Sequence, residues 1–336
     1  MNFLCLLIPL LLLGLALGLI LGLEKRMEPY SEPTERLKYY LGPVLNKKYT
    51  VGPTTKFYGK PLLVDQNIMA IRHDSSRNND SEYGFDTGPY LSEMKEYYSM
   101  VAHKGYRYLF AAGDVNHANS RVPWLAKTRP IHNRGASVLL PFNKPRHWYP
   151  LRELIHDIPW EEKRDILMWR GADTGRDNRV GIERYAGLSG EDWCDVGFTS
   201  MFNKHYEGRS SRSLLKPRMS IPKMLQYRYL LSLEGNDVAS NLKWILASNS
   251  VCLMPPPTME SWLMEGRLQP WIHYIPVRRD LRDLREKVRW AQNNEKECLK
   301  IVKNANKFMS QFTNGSDLPI IKEILNTYGK NVRIKY

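Results

Sequence analysis

Residues 228–277 read RYLLSLEGNDVASNLKWILASNSVCLMPPPTMESWLMEGRLQPWIHYIPV. Two short apolar runs, 229–233 and 250–254, flank a stretch at 238–247 whose apolar residues recur at helical spacing, and a third run follows at 272–277. Short apolar strands alternating with an amphipathic helix mark a parallel α/β sheet. The same alternation extends outward in both directions. Further strands are expected at 106–112, 136–140 and 165–169, and further helices at 88–103, 281–292 and 295–311. The chain is therefore expected to fold as an α/β protein with mostly parallel strands.

Ligands of open α/β sheets bind beyond the carboxyl ends of the strands, so the loops there are where chemistry is sought. Three stand out: Gly113-Asp114 after the first of these strands, RGADTGRDNR (170–179) after 165–169, and Glu234-Gly235-Asn236-Asp237 after 229–233. All three can face one cleft. In RGADTGRDNR, three arginines and two glycines precede a helical pattern, and guanidinium groups with backbone N–H groups at a helix start hold a diphosphate. Arginine-rich loops are also ordinary solvated surface. Asp237 is a candidate N-cap, with Val238-Ala239-Ser240 opening the first turn and Lys243 one turn in, adding charge toward a phosphate. An ordinary capped helix that packs Leu242 and Ile245 explains Asp237 equally well. The Asp114 carboxylate, after an apolar strand and a glycine, is placed to take a proton from a hydroxyl; an Asp in this position is also a common turn former.

Absent patterns narrow the chemistry. No D-x-D tripeptide occurs, so the acidic pair that grips a metal-bound nucleotide sugar is missing, and H-E-x-x-H, G-x-S-x-G and Walker-type loops are missing too. Metal-independent group transfer fits this inventory better than hydrolysis by metal or serine. No metal or other cofactor is expected.

The whole chain has 336 residues and a net charge of +14, from 49 Lys and Arg against 35 Asp and Glu. The first 23 residues carry none of it, because residues 3–23, FLCLLIPLLLLGLALGLILGL, are unbroken apolar sequence, long enough to span a membrane as a helix. This reads as a transmembrane anchor, with cleavage as a signal peptide the alternative. Gly14, Gly18 and Gly22 share one face on which two anchors can pair as a homodimer, although Gly is common in membrane helices in any case. Lys25, Arg26, Arg36 and Lys38 follow the anchor, so the positive-inside tendency puts the body in the cytoplasm; the lumen of the ER or Golgi is the alternative. A basic surface attracts anionic lipid, phosphorylated ligands or nucleic acid, but the charge is dispersed and no nucleic-acid motif appears, so no nucleic-acid partner is expected. Cys194, Cys252 and Cys298 are neither paired in number nor clustered, which argues against a disulfide framework or a zinc site. Five prolines in 24–61 suggest a stalk.

Taken in order, the strand, the Gly-containing turn, Val238-Ala239-Ser240, the second strand, Glu260-Ser261-Trp262, Pro270-Trp271 and His273-Tyr274-Ile275-Pro276-Val277, followed by a charged helix, resemble the C-terminal half of the family 90 glycosyltransferases. PWEEKRDILMWRGADTGRDNR (159–179) resembles that family's approach to an Arg-Gly. The resemblance covers roughly 90–308 and is looser before Pro159. It implies a GT-B-like fold of two Rossmann-like lobes facing a cleft, a UDP-sugar donor, inversion and no required metal. It makes Asp114 the catalytic base, puts Arg170 and Gly171 at the diphosphate and Glu260 near the nucleoside. Many members have an Arg where this chain has Asn241, which leaves Lys243 or Arg179 to supply the charge. The donor set expected is thus Arg170, Gly171, Arg179, Asp237, Val238, Ala239, Asn241, Lys243 and Glu260.

The expected organisation is an anchor at 1–23, a stalk at 24–60, an acceptor-side lobe at 61–159, a nucleotide-sugar lobe at 160–311 and a tail at 312–336. The expected activity moves a hexose or pentose from a UDP-sugar to a hydroxyl of a glycan or glycolipid acceptor, because GNDVASNLKW resembles the bacterial lipopolysaccharide branch. A protein acceptor in the secretory pathway is one alternative. A non-catalytic, membrane-tethered module for anionic ligands is another.

Overall fold

The structure, a computed structural model, describes residues 33–52, 61–64, 71–72, 88–114, 122–175, 182, 192–201, 214–312 and 317–335. The expected anchor at 3–23, with Gly14, Gly18 and Gly22, and Arg179 lie outside the described residues. Among the described residues, no helix is long and apolar enough to cross a membrane.

In chain order, α1 (Pro33–Leu41), β1 (Tyr49–Val51), β2 (Pro61–Val64), β3 (Ile71–Arg72), α2 (Gly88–Ser99), β4 (Tyr108–Ala111), β5 (Leu125–Ala126), β6 (Thr128–Pro130), β7 (Val138–Leu139) and α3 (Lys144–His147) make the first half. The second half contains β8 (Arg164–Ala172), β9 (Cys194–Ser200), α4 (Ile221–Met224), β10 (Tyr227–Leu231), α5 (Leu242–Leu246), β11 (Val251–Met254), β12 (Met259–Ser261), β13 (Ile275–Pro276), α6 (Leu284–Asn293) and α7 (Glu295–Ser310). Then α8 (Asp317–Asn331) and β14 (Val332–Ile334) return to the first half. The six strands expected from the sequence coincide with β4, β7, β8, β10, β11 and β13.

Each half holds a five-stranded sheet. The first has the order β3-β2-β4-β5-β7, with β2 antiparallel to β3 and β4 and with β4, β5 and β7 mutually parallel. The second, β13-β11-β10-β8-β9, is parallel throughout. Its central strands β10 and β11 are apolar at nearly every position because both faces are covered. Tyr229, Leu231, Val251 and Leu253 join one buried cluster with α6 and α7, while the alternating Leu230, Cys252 and Met254 join a larger one shared with the first half. The fold is mixed α/β with parallel sheets.

A two-stranded antiparallel ribbon, β6 with β12, joins the halves, setting Arg129 opposite Glu260. Two expectations need correction here. Within the stretch expected as a stalk, residues 33–52 fold into the body: Pro33 opens α1, where a missing N–H is tolerated, and Tyr39, Tyr40, Leu41 and Val44 are buried. The Tyr40 ring stacks on Trp262 at 3.9 Å. Residues 317–335 of the expected tail likewise pack on the core. Helix α8 buries Ile320, Ile321, Ile324, Leu325 and Tyr328. β14 pairs in parallel with β1, the Tyr108 hydroxyl donates to the Leu325 carbonyl at 3.2 Å, and Arg36 of α1 meets Asp317 at 2.7 Å. Apolar residues on one face of a terminal helix must be covered, and the first half supplies the cover.

Leu325 tests this placement, since its side chain is fully buried. Leu325→Ala should cost about 2–5 kcal/mol of unfolding free energy in a urea titration. In a loose tail it would cost nothing.

Candidate active site

β4 runs into Gly113, whose φ of 91° suits a residue without a Cβ, and the chain then presents Asp114. The Asp114 side chain is partly exposed, at 22%. Lys127, between β5 and β6, is nearly sealed at 3%; its ammonium lies 2.7 Å from Asp114 Oδ1 and 2.9 Å from Asp237 Oδ2. The Thr128 hydroxyl also donates to Asp237 Oδ2, at 3.0 Å. From the loop after β10, the Asn236 amide donates to Asp114 Oδ2 at 3.2 Å, while its Oδ1 accepts the Gly175 N–H at 3.1 Å. Gly175 has φ 87°, and a Cβ on it would lie 2.4 Å from the Gly235 carbonyl oxygen, so only glycine permits this approach. The loops after β4, β8 and β10 therefore meet, and Asp114 stands at their junction.

The charges follow from the contacts. Burial works to raise the Asp114 carboxyl, but Lys127 and the Asn236 amide outweigh it and hold it below its ordinary value of 3.8. Asp114 is ionised at neutral pH. Burial works to lower Lys127, yet Asp237 and Asp114 hold it protonated. Asp237 is so deeply buried that its carboxyl is pushed up to about 6 despite Lys127.

Beyond the carboxyl ends of β10 and β11 lies an open pocket, lined among others by Glu234, Val238, Ala239, Met254, Glu265 and Arg279. Glu234 braces its wall, accepting the backbone N–H groups of Thr258 and Met259 at 2.7 and 3.0 Å. Arg279 sits on the rim, 3.5 Å from Glu234 and donating to the Pro256 carbonyl at 2.8 Å. Val238 follows Asp237 directly, so the pocket and the carboxylate cluster share one loop.

Several residues expected at a donor have protein partners. Asp237 does not cap a helix: α5 begins only at Leu242, and the carboxylate that would cap it is engaged by Lys127 and Thr128. Asn241 ties α5 to β10, accepting the Ser232 hydroxyl at 2.9 Å and donating to the Leu231 carbonyl at 3.1 Å. Lys243 is fully buried, donating to the Ser261 hydroxyl at 3.2 Å and lying 3.9 Å from Glu265. Burial lowers its ammonium from the ordinary value. Arg170 turns onto β9, 2.8 Å from the Asp195 carboxylate and 2.9 Å from the Asp195 carbonyl. A Cβ on Gly171 would lie 2.5 Å from the Trp169 ring, so this glycine makes room for packing. Glu260 is fully buried between Arg129 at 2.7 Å and Arg134 at 2.9 Å, and accepts the Tyr39 hydroxyl. Of the expected donor set, Val238 and Ala239 line the pocket.

Lys127 and Arg279 were the residues missed, while Glu234 and Asn236 lay in a loop singled out from the sequence without a role being given to either. Lys127 had a signal, since a lysine inside the apolar run VPWLAKTRP needs a partner. Arg279 had one too, because it follows β13 at the carboxyl edge of the sheet.

A pocket beyond the carboxyl ends of a parallel sheet, with an ionised carboxylate from a second sheet bonded to Asn236 of the loop that also carries the pocket residue Glu234, is compatible with group transfer. The chain belongs to glycosyl transferase family 90, whose model matches residues 145–336, and it is a glycosyltransferase. The O-glucosyltransferase LpsA of Dichelobacter nodosus is 38% identical over 259 residues, covering 75% of this chain and 73% of that protein. Protein O-glucosyltransferase 2 of Danio rerio is 32% identical over 142 residues, or 42% of this chain and 28% of that protein. Protein O-glucosyltransferase 3 of Homo sapiens is 31% identical over 148 residues, or 43% and 27%.

Removing one side of a buried charge cluster strands the other, at about 3–5 kcal/mol. Glu260→Gln should lower the urea midpoint accordingly while leaving the affinity of the folded protein for UDP, measured by calorimetry, unchanged. A Glu260 that touched the nucleoside would show the reverse.

Proposed function

We propose that the chain transfers a sugar from a UDP-sugar to a hydroxyl of a glycan or glycolipid acceptor, with inversion and without a metal. The observation that carries this is the position of Asp114: an ionised, partly exposed carboxylate from the first half, held at 3.2 Å by Asn236 from the loop that also walls the pocket of the second half. The two sheets are read as the lobes of a GT-B arrangement, with the donor in the pocket and the acceptor entering on the side of Asp114.

In this reading the acceptor oxygen attacks the anomeric carbon from the face opposite the diphosphate, and Asp114 takes the hydroxyl proton as the new C–O bond forms. The bond to UDP breaks and its electron pair stays on the leaving phosphate oxygen. Arg279 and the backbone turn at Val238 and Ala239 are the groups on the pocket best placed to meet that charge, with Arg179 a further candidate. Glucose is the sugar proposed, since the three relatives compared carry names that specify glucosyl transfer. The lipopolysaccharide-type acceptor follows the resemblance of GNDVASNLKW to the bacterial branch, and the similarity to LpsA at 38% over most of the chain supports it. The apolar run at 3–23 would hold the body at a membrane, on its cytoplasmic side, near a membrane-borne glycan.

Asp114→Asn keeps the shape of the side chain and removes the base. Release of UDP from UDP-glucose should fall by about 10²–10⁴-fold, with UDP binding retained in calorimetry. Near-normal turnover would contradict the assignment.

A further inference from the structure

Asp237 is a buried carboxylate that the transfer itself does not use. It belongs to the loop after β10, yet its side chain points away from the pocket into the first half, where its partners are the Lys127 ammonium at 2.9 Å and the Thr128 hydroxyl at 3.0 Å. Lys127 has a second carboxylate at 2.7 Å, Asp114. One ammonium is thus shared between two carboxylates, one from each half.

We propose that Asp237 is a positioning residue for the base, holding the Lys127 ammonium and, through it, setting how strongly that charge bears on Asp114. This rests on the reading of Asp114 as the base. When Asp237 is ionised, it takes part of the Lys127 charge, and Asp114 is the more basic for it. When Asp237 is protonated, Lys127 has a single anionic partner, and its full field makes Asp114 a weaker proton acceptor. The donor-binding half thereby tunes a base carried by the other half.

The groups around this pair come from every element packed on it. Tyr90 of α2 lies with its ring 6.0 Å from the Lys127 ammonium. Arg146 and His147 come from α3, and Lys243 comes from α5. His147 is held well below its ordinary value by burial and by Lys243, Lys127 and Arg146, so it stays neutral near pH 6. Burial raises the Tyr90 hydroxyl, which keeps it protonated there as well. Asp237, pushed up to about 6 by burial, is the member of the cluster that changes charge in that range.

The test is the pH profile of kcat/KM for UDP release from UDP-glucose by the full chain, with Asp237→Asn, Thr128→Val and Asp114→Asn alongside. The wild type should lose activity as pH falls through about 6, by roughly three- to tenfold for one charge at this range, and then level off. Asp237→Asn should lie on that lower level at all pH values, matching the wild type at acid pH. Thr128→Val removes a donor that favours the Asp237 anion, so its step should move to higher pH; it also decides the matter if Asp237→Asn does not fold. A step that persists in Asp237→Asn, or variants that lower activity evenly without changing the profile, would overturn the proposal. Near-normal activity in Asp114→Asn would instead sink the reading of the base, whatever the profile of the others.

Discussion

Arg129 and Glu260 face each other across the β6–β12 ribbon with no exposure of either side chain. Two ions taken this far from water are tolerated only if nearly every polar atom finds a partner, and the surrounding chain is arranged to provide them. Besides Glu260 at 2.7 Å, Arg129 donates to the carbonyls of Tyr39 at 2.7 Å, Tyr40 at 3.1 Å and Ser137 at 2.9 Å. Those contacts fasten α1 and the approach to β7 onto a ribbon that already joins the two sheets. Glu260 then takes the Tyr39 hydroxyl and Arg134.

The geometry of the site depends on that fastening. Lys127 and Thr128 immediately precede Arg129, so fixing the ribbon fixes both groups that reach Asp237, and through Lys127 it fixes Asp114. The strong basic excess of the chain does not mean free cations at the site. Lys127, Arg129, Lys163, Arg170 and Lys243 each meet a carboxylate within 4 Å. Their charges hold loops and strands together, and Arg279 on the rim of the pocket lies 3.5 Å from Glu234.

The central sheet was legible because local patterns dictate it: β10, α5 and β11 lie within one short stretch, and each strand is apolar on both faces. The three loops were legible for the same reason, since they follow from where strands end. What the sequence did not disclose depends on partners far along the chain. Glu260 meets Arg129 across 131 residues, and the Arg36 guanidinium meets Asp317 across 281. No local pattern marks Tyr39 and Tyr40 as core rather than stalk, or α8 as the cover for Tyr108. Asp237 misled for a related reason: Asp before a helical pattern suggests a cap, but a buried ammonium binds its carboxylate more strongly than exposed backbone N–H groups do.

The single displacement proposed, with Asp114 as its base, would fix the stereochemistry of the product. Proton NMR of a reaction started from UDP-α-glucose, recorded before any freshly released sugar can mutarotate, reads that outcome at the anomeric carbon. Attack assisted by Asp114 on the face opposite the diphosphate yields the β anomer. Formation of the α anomer would require a second displacement or attack from the donor face, and would contradict the role given to Asp114.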